Sequence, residues 1–190
     1  MPKPIRLPLA FEERARALDA RADGAMEMLR LSPAANRLFY AASALGDHGL
    51  LWHMIGSVRA LRGDRQVAEA LRLSAVLGVE SVLVNVGIKS MFRRSRPIHT
   101  GTRPLALRRP LTSSFPSGHA TSAFCAAVLL SKAEPRLRPV WYATATVVAA
   151  SRVHVRIHHT TDVVVGAALG HAFGHLAARL VPLPEAPTEP

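Results

Sequence analysis

Residues 70–92 read ALRLSAVLGVESVLVNVGIKSMF, an apolar run that carries Glu80 and Asn85 inside it and closes on Lys89. At about 1.5 Å rise per residue, a helix of this length reaches across a bilayer. A carboxylate and an amide at such depth are expected to face a bundle interior, chiefly as structural contacts. The reading of this stretch therefore decides between a soluble chain and one built around membrane helices.

Upstream, residues 35–61 read ANRLFYAASALGDHGLLWHMIGSVRAL, apolar on both sides of Gly46-Asp47-His48-Gly49. One straight span through that tetrad is costly. The pattern predicts a surface or tilted helix up to it and a first span after it, ending near Arg59. Residues 9–31 place Phe11, Ala15, Leu18, Ala22, Met26 and Leu29 at helical spacing opposite Arg and Glu. That is an amphipathic surface helix, lying on a membrane or on the bundle. The first thirty residues contain no signal-like apolar stretch, so insertion is expected to be driven by internal helices.

Downstream, residues 93–115 form a polar, basic, proline-containing loop, and loops of that length inside compact folds are usually functional or disordered. Three further short spans follow: GHATSAFCAAVLLSK (118–132), VWYATATVVAASRVHV (140–155) and DVVVGAALGHAFGHLAARLV (162–181). They are rich in the small residues that let helices approach closely in lipid. The expectation is an all-α, membrane-embedded bundle of about five transmembrane helices with an N-terminal amphipathic helix. Its division is 1–35 for the amphipathic segment, 36–182 for the bundle domain and 183–190 for a proline-rich disordered tail. No run reaches eighteen uninterrupted apolar residues, so a soluble bundle stays open beside it.

The chain of 190 residues is 49% hydrophobic, with 24 Lys and Arg against 13 Asp and Glu, a net charge of +11. The cations are interleaved with apolar segments, a distribution that fits membrane flanks and anionic headgroups and speaks against nucleic acid as a partner. Cys125 is the only cysteine, which excludes an intramolecular disulfide.

The purposeful polar residues fall at the ends of spans. Lys89 and Arg96-Pro97 close the second; Pro116, Ser117, Gly118 and His119 open the third; Ser151, Arg152, His158 and Asp162 straddle the junction of the fourth and fifth. Alternating spans would bring all three clusters to one face. Three converging cations, Lys89, Arg96 and Arg152, repel unless an anion with several oxygens sits between them, and phosphate suits the guanidinium fork. Ser117 is a good N-cap, and the free N–H groups of the turn it opens at Gly118 make an anion site. His119 stands where it could protonate a leaving oxygen. His158 and Asp162, at i and i+4, are expected to pair on a helix, making the imidazole a nucleophile or base. Singly, each cluster is weak; their joint order is specific.

On these residues the chain resembles the type 2 phosphatidic acid phosphatase superfamily, which includes vanadium-dependent haloperoxidases and glucose-6-phosphatase. The shared signature is K-x6-R-P, P-S-G-H and S-R-x5-H-x3-D, matched here across residues 89–162. The resemblance implies a metal-independent phosphatase without a cofactor. In it His158 attacks phosphorus, Asp162 orients it, His119 protonates the leaving alcohol, and Lys89, Arg96, Arg152, Ser117 and Gly118 hold the phosphoryl oxygens. It also implies a multi-pass enzyme of the cell membrane acting on a lipid phosphate. Polyprenyl phosphate or diphosphate, phosphatidic acid, phosphatidylglycerophosphate and decaprenyl phosphoribose 5-phosphate remain unranked as substrates. A vanadate-dependent haloperoxidase and a non-enzymatic membrane or nucleic-acid binding protein are the alternatives. Inside the third motif His154, Arg156 and His159 depart from many relatives. Arg156 and His159 are read either as contacts to a second anionic group or polar headgroup or as solvated rim residues. The pairs His154/His158 and His171/His175 have metal-compatible spacing but lack the H-E-x-x-H pattern, and no metal is expected.

Overall fold

The computed structural model describes residues 9–98, 107 and 112–182, so the tail at 183–190 and most of the loop before residue 112 lie outside the described residues. Seven helices and no strand are found among them: α1 (Leu9–Arg30), α2 (Pro33–Leu45), α3 (Leu50–Ala60), α4 (Asp64–Met91), α5 (Gly118–Ala133), α6 (Arg138–His154) and α7 (Thr160–Leu180). The all-α class follows the sequence pattern, and each element sits close to its expected limits.

α5 is the central helix. Ala120, Ala123, Cys125, Ala126, Ala127, Val128, Leu129 and Leu130 are all buried, so it is apolar around its whole circumference. Trp52, Leu73 and Leu77 pack on it from α3 and α4, and Trp141, Ala145 and Val148 from α6. Its closest partner is α7, which presents Gly166, Gly170 and Gly174 on one stripe. A Cβ at Gly170 would lie 2.0 Å from the Thr121 carbonyl oxygen, and one at Gly166 2.6 Å from that of Ser117. Hydrogen on these carbons is what allows the two backbones to touch.

The tetrad breaks the chain as expected, through a 3-10 turn at Asp47–Gly49 with His48 and Gly49 both at positive φ. The helix after it has 11 residues. That is about 16 Å, roughly half of a hydrocarbon core, so the first span read from the sequence is too short to cross alone. Two helices, Asp64–Met91 and Thr160–Leu180, are long and apolar enough to do so.

α1 is amphipathic in pattern but docks largely through polar groups. Leu18, on its apolar stripe, is 50% exposed, whereas Asp19 is buried. Arg30 donates to the carbonyls of His154 and Val153 at 2.9 Å each, tying α1 to the end of α6. At the opposite end of the bundle Arg59 meets Glu69 (2.6 Å) and Glu134 (3.3 Å), and Arg62 meets Glu134 (2.7 Å). These ion pairs clamp the α3–α4 hairpin to the α5–α6 turn.

Candidate active site

The three sequence clusters converge at one end of the bundle. Lys89 is delivered by a π-helical segment, Leu83–Ile88, that shifts the register of α4 just before its end. Its Nζ donates to Asn85 Oδ1 at 2.8 Å. Both groups lie against the first turn of α5, since a Cβ on Gly118 would come within 3.3 Å of Asn85 Oδ1 and 3.6 Å of Lys89 Nζ. Asn85 thus anchors the lysine. Glu80, the other polar residue of that helix, is buried within electrostatic range of Lys89.

Arg96 donates to the carbonyls of Ile157 (3.0 Å), Thr112 (3.2 Å) and Ser113 (3.3 Å), which fixes its guanidinium beside His158. Arg152, 1% exposed, donates to Ser43 Oγ at 2.5 Å, while its own carbonyl accepts from the N–H groups of Ile157 and His158. Lys89, Arg96 and Arg152 are all buried, and Lys89 lies within electrostatic range of both arginines. Three buried cations at one point are stable only with anions among them, and Asp162 supplies one fixed negative charge.

His158 is 3% exposed and its Nε2 lies 3.1 Å from Arg96 Nη1. Its Nδ1 lies 3.5 Å from Asp162 Oδ2. The two residues do not share a helix, contrary to the expectation from their spacing. α7 begins at Thr160, with His159 as its N-cap and Asp162 as the third helical residue, reaching back to the His159 N–H (2.9 Å) in a capping box. His158 therefore approaches the carboxylate from the preceding loop. Burial, reinforced by Arg152 and Arg96 and opposed by Asp162, pushes its pKa down to about 3. Its imidazole is neutral at physiological pH and keeps a lone pair.

Asp162 is held from its other side by Arg94, whose Nη1 donates to Oδ1 at 2.6 Å and to Thr161 Oγ1 at 2.7 Å. Arg94 in turn pairs with Asp19 of α1 at 2.5 Å, and Asp19 accepts from the Thr161 N–H at 2.8 Å. The sequence reading missed Arg94 and Asp19. Arg94 lies within the first cluster and was available to it; nothing periodic relates Asp19 to Thr161.

In the PSGH motif Ser117 accepts from the Ala120 N–H, as an N-cap should, while its own N–H donates to the Asp162 carbonyl at 3.0 Å. The N–H groups left to an anion in that turn are those of Gly118 and His119, which have no acceptor a turn earlier in the helix. His119 points its Nε2 at Asp47 Oδ1 (3.1 Å) and at the Ser43 carbonyl (3.3 Å). Gly46 makes room for this ring, because a Cβ there would stand 2.7 Å from His119 Cδ2. Gly46→Ala is expected to displace His119 and lower turnover at least about tenfold without changing helix content, measured by phosphate release beside circular dichroism.

The three departures in the third motif are occupied by protein partners. Arg156, at φ 53°, pairs with Glu27 and lies 3.8 Å from Asp23 of α1. His154 Nε2 meets Asn36 Oδ1 at 2.8 Å, and His159 Nε2 lies 3.2 Å from the Ser95 carbonyl oxygen. Ser151 of the signature donates to the Val148 carbonyl at 2.6 Å. Farther along α7, His171 meets the Tyr142 hydroxyl at 3.1 Å, far from the converging cations in sequence.

Comparison with known proteins gives the family of the chain. The family model described as the PAP2 superfamily matches residues 69–184. A Mycobacterium tuberculosis protein named decaprenylphosphoryl-5-phosphoribose phosphatase is 34% identical over 132 residues, covering 70% of this chain and 72% of its own. Its namesake in Mycolicibacterium smegmatis is 34% identical over 128 residues, 66% and 68% of the two chains. Among solved structures, the transmembrane PAP2 type phosphatidylglycerolphosphate phosphatase of Bacillus subtilis superposes with a TM-score of 0.62 at 26% identity, covering 91% of this chain and 94% of that one. Aquifex aeolicus LpxE gives 0.60 at 25% identity, covering 80% and 93%. The chain belongs to the PAP2 superfamily, and it is a phosphatase.

Proposed function

We propose that the chain is a multi-pass plasma-membrane phosphatase that removes phosphate from a lipid or polyprenyl carrier through a phosphohistidine at His158. The observation that carries this reading is the neutral His158 imidazole set among three buried cations. Its Nε2 lone pair attacks phosphorus, and the P–O bond to the leaving alcohol breaks. The electron pair left on that oxygen takes a proton from His119. Water then attacks the phosphohistidine, giving its proton to His119, and the P–N electron pair returns to His158. Asp162 orients the ring from Nδ1 and stabilises the cationic adduct. Lys89, Arg96, Arg152 and the N–H groups of Gly118 and His119 bear the charge that grows on the phosphoryl oxygens, where fixed donors contribute most. Ser117 holds that turn in place by capping it.

Residues 36–182 make up the phosphatase domain and 1–35 the N-terminal segment, whose helix α1 (Leu9–Arg30) docks beside the third motif. α4 and α7 cross the bilayer, and α5 and α6, with 16 and 17 residues, cross with them as short spans. The mycobacterial relatives support a polyprenyl-linked phosphoribose as the first substrate to test, and the Bacillus neighbour supports phosphatidylglycerophosphate as the second. Detergent-purified protein with each of these lipids, phosphatidic acid and a polyprenyl diphosphate, in excess EDTA, separates them by phosphate release. Release that persists in EDTA supports the reading and ranks the lipids. Release abolished by EDTA, or seen with none of the lipids, contradicts it.

A further inference from the structure

The turn between α2 and α3 looks, by sequence, like a helix breaker and nothing more. In three dimensions it delivers a carboxylate to the active site. Asp47 Oδ1 lies 3.1 Å from His119 Nε2, and the turn that places it holds two consecutive residues at positive φ, His48 at 53° and Gly49 at 70°. A non-glycine residue adopts that conformation only where surrounding contacts hold it.

We infer that Asp47 is the positioning residue of His119: its carboxylate holds the Nε2–H, directs Nδ1 to the leaving oxygen and stabilises the imidazolium that donates the proton. The inference rests on the phosphohistidine reading above. Two acceptors, Asp47 Oδ1 and the Ser43 carbonyl, face Nε2, so that nitrogen carries hydrogen and Nδ1 is the one left for chemistry. Charge requires the same partner. A protonated His119 stands near Arg152, in a site that also buries Lys89 and Arg96, and a fourth cation there is unstable without a local anion. Asp162 serves His158; Asp47 serves His119. His48, the other titratable group of the turn, lies within electrostatic range of Asp47.

Ser43 joins the two halves of this arrangement. Its carbonyl faces His119 and its hydroxyl accepts from Arg152, so α2 sets the proton donor and a phosphate-binding arginine from one residue. The proton that leaves Nδ1 in the first step goes to the alkoxide as the P–O bond breaks, and the water consumed in the second step restores it.

The test compares single-turnover phosphate transfer from an alkyl phosphate, whose leaving group needs a proton, with that from p-nitrophenyl phosphate, whose leaving group does not. Wild type, His119→Ala and Asp47→Asn are measured, with Asp47→Ser as a second variant should asparagine distort the turn, and thermal unfolding checks each. Asp47→Asn is expected to slow the alkyl phosphate about 10- to 100-fold and p-nitrophenyl phosphate less than about threefold, in the same direction as His119→Ala. An equal fall on both substrates would mark a structural role and overturn the inference. So would wild-type rates on the alkyl phosphate while His119→Ala shows the bias. If His119→Ala itself shows no leaving-group bias, the acid role of His119 fails and the inference falls with it.

Discussion

His158→Ala is expected to lower phosphate release by at least about 10⁴-fold while the bundle stays folded. The size follows from what the side chain does and from the lack of a substitute. His158 is held by backbone bonds to the Arg152 carbonyl, by Arg96 on one ring nitrogen and by Asp162 near the other. Its burial keeps it unprotonated far below neutral pH, so at pH 7 essentially every molecule has the lone pair that the proposed first step consumes. His119 does not replace it, because in the proposed reaction its free Nδ1 carries the proton for the leaving oxygen while its Nε2 is held by Asp47 and Ser43. Phosphate release from the preferred lipid, measured beside circular dichroism, checks this expectation.

The second large effect is on stability. Gly170→Val is expected to cost about 3 kcal/mol or more, because its Cβ would sit 2.0 Å from the Thr121 carbonyl, against backbone that has no slack. The loss should reach the active site as well. The same α5–α7 contact carries the Ser117 N–H to Asp162 carbonyl bond, so separating the helices pulls the PSGH turn away from the His158 loop. Gly24→Ala in α1 is the control: nothing lies within 4 Å of the added methyl, and alanine gains about 1 kcal/mol of helix propensity over glycine. Thermal unfolding in detergent distinguishes the two, with the first melting well below wild type and the second at or above it.

Much of this site was legible from sequence because its groups sit at helix ends, where apolar periodicity stops and polar residues stand out. Lys89, Arg96, Ser117, Gly118, His119, Arg152, His158 and Asp162 could be gathered by assuming only that the spans alternate. Three things were not legible. The register of Lys89 depends on a π-helical segment that a 3.6-residue period does not reveal. The four-residue spacing of His158 and Asp162 suggested a shared helix, yet the capping box starts α7 after His158 and makes the pair a loop-to-helix contact. The supporting residues Asp19, Ser43 and Asp47 come from α1, α2 and the turn after it, segments whose patterns predicted only helices and a break. Packing brings them in, and no local signal announces it.

α1 takes on a different character in this light. Its pattern predicted a surface helix on a membrane or on the bundle; Met26 packs on the bundle, but the directed contacts are polar, with Asp19 reaching Arg94 and Thr161 and Arg30 capping the end of α6. Its apolar Leu18 and Met28 remain exposed.

The most direct test of the central claim is to quench a single turnover in base, which preserves phosphoramidates, and to map the label by mass spectrometry. Phosphate is expected on His158, with more of it in His119→Ala when an aryl phosphate forms the adduct and its hydrolysis is slowed. Phosphate on another residue, or turnover with no phosphoenzyme in either protein, would contradict it.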